Sequence, residues 1–245
     1  MNEVVFLGSG DAFGSGGRLQ SCILLKTDRN RILMDCGATS MIAMSKHQIN
    51  PNDIDLILLT NLHGDHCGGI PYFVIDAQLN RKRTKPLVIA GPPGIKARFP
   101  QVMESTFPGS AETKTRFTLD IMEMEIGNPW YFMDLKVRSF PVIHAQGDPH
   151  LAMRIEWGEK VIAYSGDTEW TESLVTLAEG ADLLIMEAYF FAKKIKYHMD
   201  YETAAEKFPL FKAKTIVLTH MSEDMLGQLD KVVCRYAEDG KVFTL

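Results

Sequence analysis

The chain has 245 residues, 46% of them hydrophobic and 23% charged, with 26 Lys and Arg against 31 Asp and Glu and a formal net charge of −5. That is the composition of an ordinary globular protein, and it excludes a disordered chain, collagen and a coiled coil. No apolar run approaches the ~18 residues that span a bilayer and no basic stretch of a secretory signal opens the chain, so a cytoplasmic location and no membrane partner are expected. The acidic balance lacks the diffuse basic footprint of a nucleic-acid binder. Its densest basic run, Arg81-Lys82-Arg83-Thr84-Lys85, reads either as a solvated loop or as a local patch. The four cysteines, Cys22, Cys36, Cys67 and Cys234, form no CxxC pair and read as reduced packing residues. With no Pro/Ser-rich linker, one domain over 1–245 is expected.

In chain order, short apolar runs at 4–7, 22–25, 31–34, 55–59, 87–90, 161–164, 183–186 and 215–218 predict strands, several of them buried on both faces. Helices are predicted after Ala38, after Pro71 and after Pro93. From 120 to 142 the pattern changes to alternation, with Glu123 and Glu125 set against Met122, Met124 and Ile126. This predicts antiparallel strands with one wet face, broken at Gly127-Asn128-Pro129. Thr171, Leu174, Val175, Leu177 and Ala178 make a helical stripe within 168–179, and a last helix is predicted over 200–207. A layered mixed α/β architecture follows.

Five of the strand-like runs lead into residues competent to hold a metal: Asn61-Leu62-His63-Gly64-Asp65-His66, His144, Asp167, Glu187 and His220. Ligand residues in α/β sheets gather where strands end, and Gly64 permits a tight turn within the densest motif. Imidazoles and carboxylates without thiolate suit Zn, alternatively Mn or Fe, with positions left open for water. His47 and His150 have no motif around them and read as surface or packing residues. Gly8-Ser9-Gly10 and Gly14-Ser15-Gly16-Gly17 match no nucleotide-cradling pattern.

These motifs, together with Leu7-Gly8-Ser9-Gly10-Asp11-Ala12-Phe13, Asp35-Cys36-Gly37, Gly91-Pro92-Pro93-Gly94, Tyr164-Ser165-Gly166-Asp167-Thr168 and Leu218-Thr219-His220, run nearly the whole chain. In that order they resemble the metallo-β-lactamase fold hydrolases, in the phosphodiesterase branch that includes the tRNA 3′-processing endoribonuclease Z. The resemblance implies an αββα four-layer sandwich of two mixed sheets flanked by helices, and up to two divalent ions at one edge. One ion would take Asn61, His63 and His144, the other Asp65, His66 and His220, with Asp167 bridging. It also implies that Glu187 and His198 form a hydrogen-bonded couple near the scissile phosphate, that the loop after the first strand borders the site, and that the protein forms a homodimer.

One position departs from the family motif Thr-His-x-His-x-Asp-His, because Asn61 stands where the first His belongs. Asn coordinates through a neutral carbonyl oxygen, a weaker donor for Zn than imidazole. The second metal position is therefore expected to be tight and the first weak. The function expected is a phosphodiesterase in which a metal-bound hydroxide, held by Asp65, attacks phosphorus with Glu187 and His198 assisting. Small phosphodiesters, cyclic nucleotides or short RNA are the expected substrates. tRNA is not, since no insertion between Gly94 and His144 is long enough for a gripping arm. A carboxyl-ester or lactone hydrolase on the same site, or a metal-binding protein without turnover, are the alternatives.

Overall fold

The computed structural model describes residues 2–145 and 149–245. Among the described residues, fourteen strands form two sheets of seven. The first holds β1 (Glu3–Gly8), β2 (Cys22–Lys26), β3 (Arg31–Met34), β4 (Leu56–Leu58), β5 (Leu87–Gly91), β6 (Leu119–Glu123) and β14 (Val242–Thr244), ordered β14-β1-β2-β3-β4-β5-β6. The second holds β7 (Pro129–Phe132), β8 (Leu135–Pro141), β9 (Leu151–Trp157), β10 (Lys160–Tyr164), β11 (Leu183–Glu187), β12 (Ile216–Thr219) and β13 (Arg235–Tyr236), ordered β13-β12-β11-β10-β9-β8-β7. Each sheet is mixed: β3 to β6 run parallel beside an antiparallel half, and β10 to β13 do the same in the other sheet.

Burial explains why the strands read as unbroken apolar runs. Successive residues of a strand point to opposite faces, and here both faces are covered. Val4 and Phe6 of β1 enter a core between the sheets with Ile23, Met34, Leu58, Met153, Ile162 and Ile185. Val5 and Leu7 face outward into a second core with Leu24, Ile57, Met44, Phe73 and Met103. There they meet the helices α1 (Ser40–Lys46), α3 (Ile70–Ile75) and α4 (Ile95–Thr106). A third core packs Ala163, Leu184, Met186 and Leu218 against α5 (Ser173–Ala178), α6 (Tyr201–Lys207) and α7 (Glu223–Leu226). The short α2 (Gly64–Cys67) carries the metal-type motif. The layers are thus helices, sheet, sheet, helices, the αββα sandwich of a metallo-β-lactamase fold.

Three expectations need correction. The alternating stretch 120–142 is not one antiparallel unit, because β6 pairs parallel with β5 in the first sheet whereas β7 and β8 form a hairpin in the second. The break at 127–129 is the crossover between sheets, and Gly127 there has φ +83°. The helix expected over 168–179 is confined to Ser173–Ala178. Ahead of it, Thr168 and Glu169 are tied to the chain at Ile143, Ile143 N–H donating to Thr168 Oγ1 and Glu169 N–H to Ile143 O. Arg83, in the basic run, is not solvated: its guanidinium is 1% exposed and donates to the carbonyls of Pro51, Ile54, Lys85 and Pro86. The four cysteines are free, three of them buried, as expected for packing residues.

Candidate metal centre

The parallel strands deliver the chemistry to one edge. After β3 the chain turns at Asp35, φ +61°, whose buried carboxylate becomes an anchor. Its Oδ1 accepts from Thr60 N–H at 2.8 Å, and its Oδ2 lies 2.7 Å from His66 Nδ1 and accepts from Tyr164 OH at 2.8 Å. A carboxylate on one ring nitrogen fixes the tautomer and leaves the other nitrogen to act as a ligand. The next glycine allows close approach: a Cβ on Gly37 would lie 2.2 Å from the Asp65 carbonyl oxygen. The sequence pattern exposed the Asp35 motif without its task, since nothing in its local spacing names His66 as the partner.

The motif after β4 and the residues after β10 and β12 then converge. His66 Nε2 is 3.2 Å from Asp65 Oδ2 and 3.0 Å from Asp167 Oδ2, and His220 Nε2 is 3.8 Å from Asp65 and 3.7 Å from Asp167 Oδ1. The donors of Asp65, His66, Asp167 and His220 all lie within 4.8 Å of one another, in buried positions. Yet among the described residues His66 Nε2 and Asp167 Oδ1 have no hydrogen-bond partner. Buried polar atoms are otherwise nearly always paired, so donors crowded about a common point without bonding each other have the character of a cation's ligand shell. The field agrees. Burial opposes charge on His66, but the carboxylates of Asp167, Asp35 and Asp65 raise its pKa well above the ordinary histidine value. Burial likewise opposes ionisation of Asp65, and His66 and His220 still hold that carboxyl down at about 2. The residues present fit a divalent ion.

The second cluster is thinner. His144 Nδ1–H donates to Tyr197 O at 2.7 Å, leaving Nε2 at 3.3 Å from His63 Nδ1 and 3.7 Å from Asp167 Oδ2. Burial depresses the His144 pKa to about 4, keeping its imidazole neutral as a ligand requires. Asn61, 1% exposed, turns its Oδ1 onto the His63 N–H at 2.9 Å, and its Nδ2 has no partner among the described residues. The structure thus brings His144, Asp167 and His198 within 4.8 Å of one another, with His63 against His144 but outside that group, and directs the Asn61 oxygen to the backbone. His47 stands at the end of α1, away from the centre. His150, read as a surface or packing residue, is buried at 8% exposure, its ring centre 4.6 Å from that of His144 and 5.2 Å from that of His63.

Glu187, at the end of β11, is 1% exposed and its Oε2 lies 2.8 Å from His198 Nδ1. Its Oε1 accepts from Thr168 N–H. Burial alone would lower the His198 imidazole, but the Glu187 carboxylate outweighs it and raises the pKa to about 9. The His198 ring stacks 4.7 Å from Tyr189 and lies parallel to His220 at 5.9 Å. A cleft of about 190 Å³ is bounded by this ring, Tyr189, Tyr197, Asp65, Asp167 and the loop after β1, where Phe13 is 84% exposed.

Fold and donor set together define a metal-dependent hydrolase of the metallo-β-lactamase fold, in its ribonuclease Z-like branch. The chain belongs to the family described as Anti-Pycsar protein Apyc1, which matches residues 2–243. It is 30% identical over 277 residues to the ribonuclease Z of Methanothermobacter thermautotrophicus, covering 91% of this chain and 87% of that protein. Among solved structures it is similar to the metallo-β-lactamase fold protein YhfI from Bacillus subtilis, with TM-score 0.82 and 21% identity over 99% of this chain and 98% of that one. Human tRNase Z, short form, has TM-score 0.80 and 25% identity over 99% of this chain and 98% of that one.

Proposed function

We propose that this protein is a metal-dependent phosphodiesterase acting on small phosphodiesters, cyclic nucleotides or short RNA. The observation that carries the reading is the 2.8 Å contact of the buried Glu187 carboxylate with His198 Nδ1 beside the metal-type cluster, an arrangement that favours the imidazolium. A neutral ester or lactone gains little from an imidazolium at the cleft, whereas a phosphodiester brings an anion to it and needs a proton for a poor alkoxide leaving group. Asp65, His66, Asp167 and His220 would hold one Zn ion, or Mn or Fe, tightly, and His63, His144 and Asp167 a second more weakly. Such ions supply Lewis acidity to a phosphoryl oxygen and lower the pKa of bound water towards about 7.

The chain's own groups do the rest. Asp65 stays ionised and accepts a proton or a hydrogen bond at the attacking side. His198, its Nδ1–H held by Glu187, is left with Nε2 to deliver a proton to the leaving oxygen. Asp35 and Tyr197 O keep His66 and His144 in the tautomers that ligation needs. The cleft is small, about 190 Å³. The alignment with the ribonuclease Z runs over 277 positions although it takes in 91% of this chain, so that relative carries residues this chain lacks. Both facts favour a small substrate over tRNA. The family's name describes an action against Pycsar, and we take that as the setting in which this hydrolase works.

Turnover of a cyclic nucleotide, a short RNA, a precursor tRNA, a chromogenic phosphodiester, p-nitrophenyl acetate and a lactone, each with added Zn or Mn, tests this. Hydrolysis of the small phosphodiesters ahead of the tRNA and the neutral esters is expected. Ester or lactone turnover without phosphodiester turnover would replace the reading.

A further inference from the structure

The first metal position has two imidazoles, His63 and His144, and an Asn61 whose carbonyl oxygen is engaged by the His63 N–H. Around the centre, histidines share one habit. His66 uses Nδ1 on Asp35 and His144 uses Nδ1 on Tyr197 O, and each presents its remaining nitrogen to the cluster. His150 follows it. Its Nε2 lies 3.0 Å from Ala145 O, a carbonyl that can only accept, so Nε2 carries the proton and Nδ1 the lone pair. That Nδ1 is buried and has no partner among the described residues.

The spacing also fits. Imidazole nitrogens about 2.0 to 2.1 Å from one ion at tetrahedral angles stand about 3.3 Å apart, and their ring centres about 5 Å apart. His63 Nδ1 and His144 Nε2 are 3.3 Å apart, and the centres of His63, His144 and His150 are separated by 5.0, 5.2 and 4.6 Å. As the side chains stand, the compact donor clusters are Asp65, His66, Asp167, His220 and His144, Asp167, His198, with His63 and His150 both outside them, so both rings must close further on His144 and Asp167.

We propose that His150 supplies the imidazole that Asn61 lacks, so that the first position is a His63, His144, His150 tripod completed by Asp167. This rests on the cluster's holding cations and is independent of which ester is cleaved. A histidine used for packing alone would leave a buried lone pair unpaired at full desolvation cost. As a ligand the same nitrogen is satisfied.

Zinc titration against a chromophoric chelator tests it in the purified full chain, in His150→Ala, in Asn61→His and in the double variant. Two equivalents of unequal affinity are expected for the unaltered chain. His150→Ala should weaken one equivalent by about 100-fold or more, at least the effect of losing a ligand's supporting partner, and leave the other unchanged. Adding Asn61→His to His150→Ala should restore the lost equivalent. A ¹⁵N spectrum of the histidines during zinc titration of the unaltered chain gives a readout independent of how the variants fold, with His150 Nδ1 shifting as a ligand and Nε2 remaining protonated. Two equivalents bound equally by the unaltered chain and His150→Ala, or an unmoved His150 Nδ1, would overturn the proposal. Uptake of no zinc by the unaltered chain would overturn the metal reading as well.

Discussion

At His198 one buried carboxylate outweighs burial, and the imidazole stays charged to about pH 9 at the wall of the cleft. A raised pKa means that the charged form, and whatever it does, is present below the titration and lost above it. The phosphodiesterase rate should therefore carry a descending alkaline limb, at or below about pH 9 because cations bound nearby favour the neutral ring. His198→Ala should remove that limb and lower kcat by roughly 10²-fold, the range for a general acid, with metal content unaltered. Undiminished turnover of a substrate with a poor leaving group would take His198 out of the mechanism. At this scale the sequence was uneven. His63, Asp65 and His66 lie within four residues, and their spacing announced a site. Asp35 and His150 reach it only through the fold, from 31 residues before His66 and from beyond the crossover between sheets, and no local pattern names their partners.

The elements that position these groups were legible wherever a strand was apolar on both faces. β2, β3 and β5 read almost to the residue because each apolar side chain enters one of two cores. β9 did not, since Arg154 and Glu156, paired at 2.6 Å, interrupt the apolar run of a mostly buried strand and make it resemble a loop. Nor could alternation in 119–123 reveal that β6 pairs parallel with β5, because period two reports a wet face and not a neighbour. The turns after the strands carry their own demand. Gly166, between β10 and Asp167, has φ +56°, and a Cβ there would lie 2.8 Å from Thr60 Cβ and 3.0 Å from Leu151 O. Gly166→Ala should cost about 1–3 kcal/mol in strain and displace the Asp167 carboxylate, so thermal midpoint and zinc affinity should fall together. An alanine variant with unchanged midpoint and full zinc uptake would show that the turn gives way without moving Asp167.

Across the whole molecule, the centre sits where the two sheets meet at one edge. Asp65 and His66 come from the first sheet's side, following β4, and Asp167 and His220 from the second, following β10 and β12. A short run after β4, Thr60-Asn61-Leu62, echoes in sequence Thr219-His220-Met221 at the end of β12, though His220 takes φ +56° and Asn61 does not. A cation held between the two sheets' sides acts as a cross-link, binding the folded chain and not the unfolded one. Stabilisation then follows mass action, about 4 kcal/mol at a free metal concentration 1,000 times the dissociation constant. For a domain of this size each kcal/mol moves the midpoint by about 2–4 °C, so zinc should raise it by roughly 8–16 °C over the chelated protein. We propose that 1–245 is one cooperative domain, since the core between the sheets is built equally from both, and calorimetry with zinc and with chelator should each give a single transition. Two separated transitions would divide the domain at the sheet interface, and a midpoint indifferent to zinc would mean that the clustered carboxylates and imidazoles hold no ion across it.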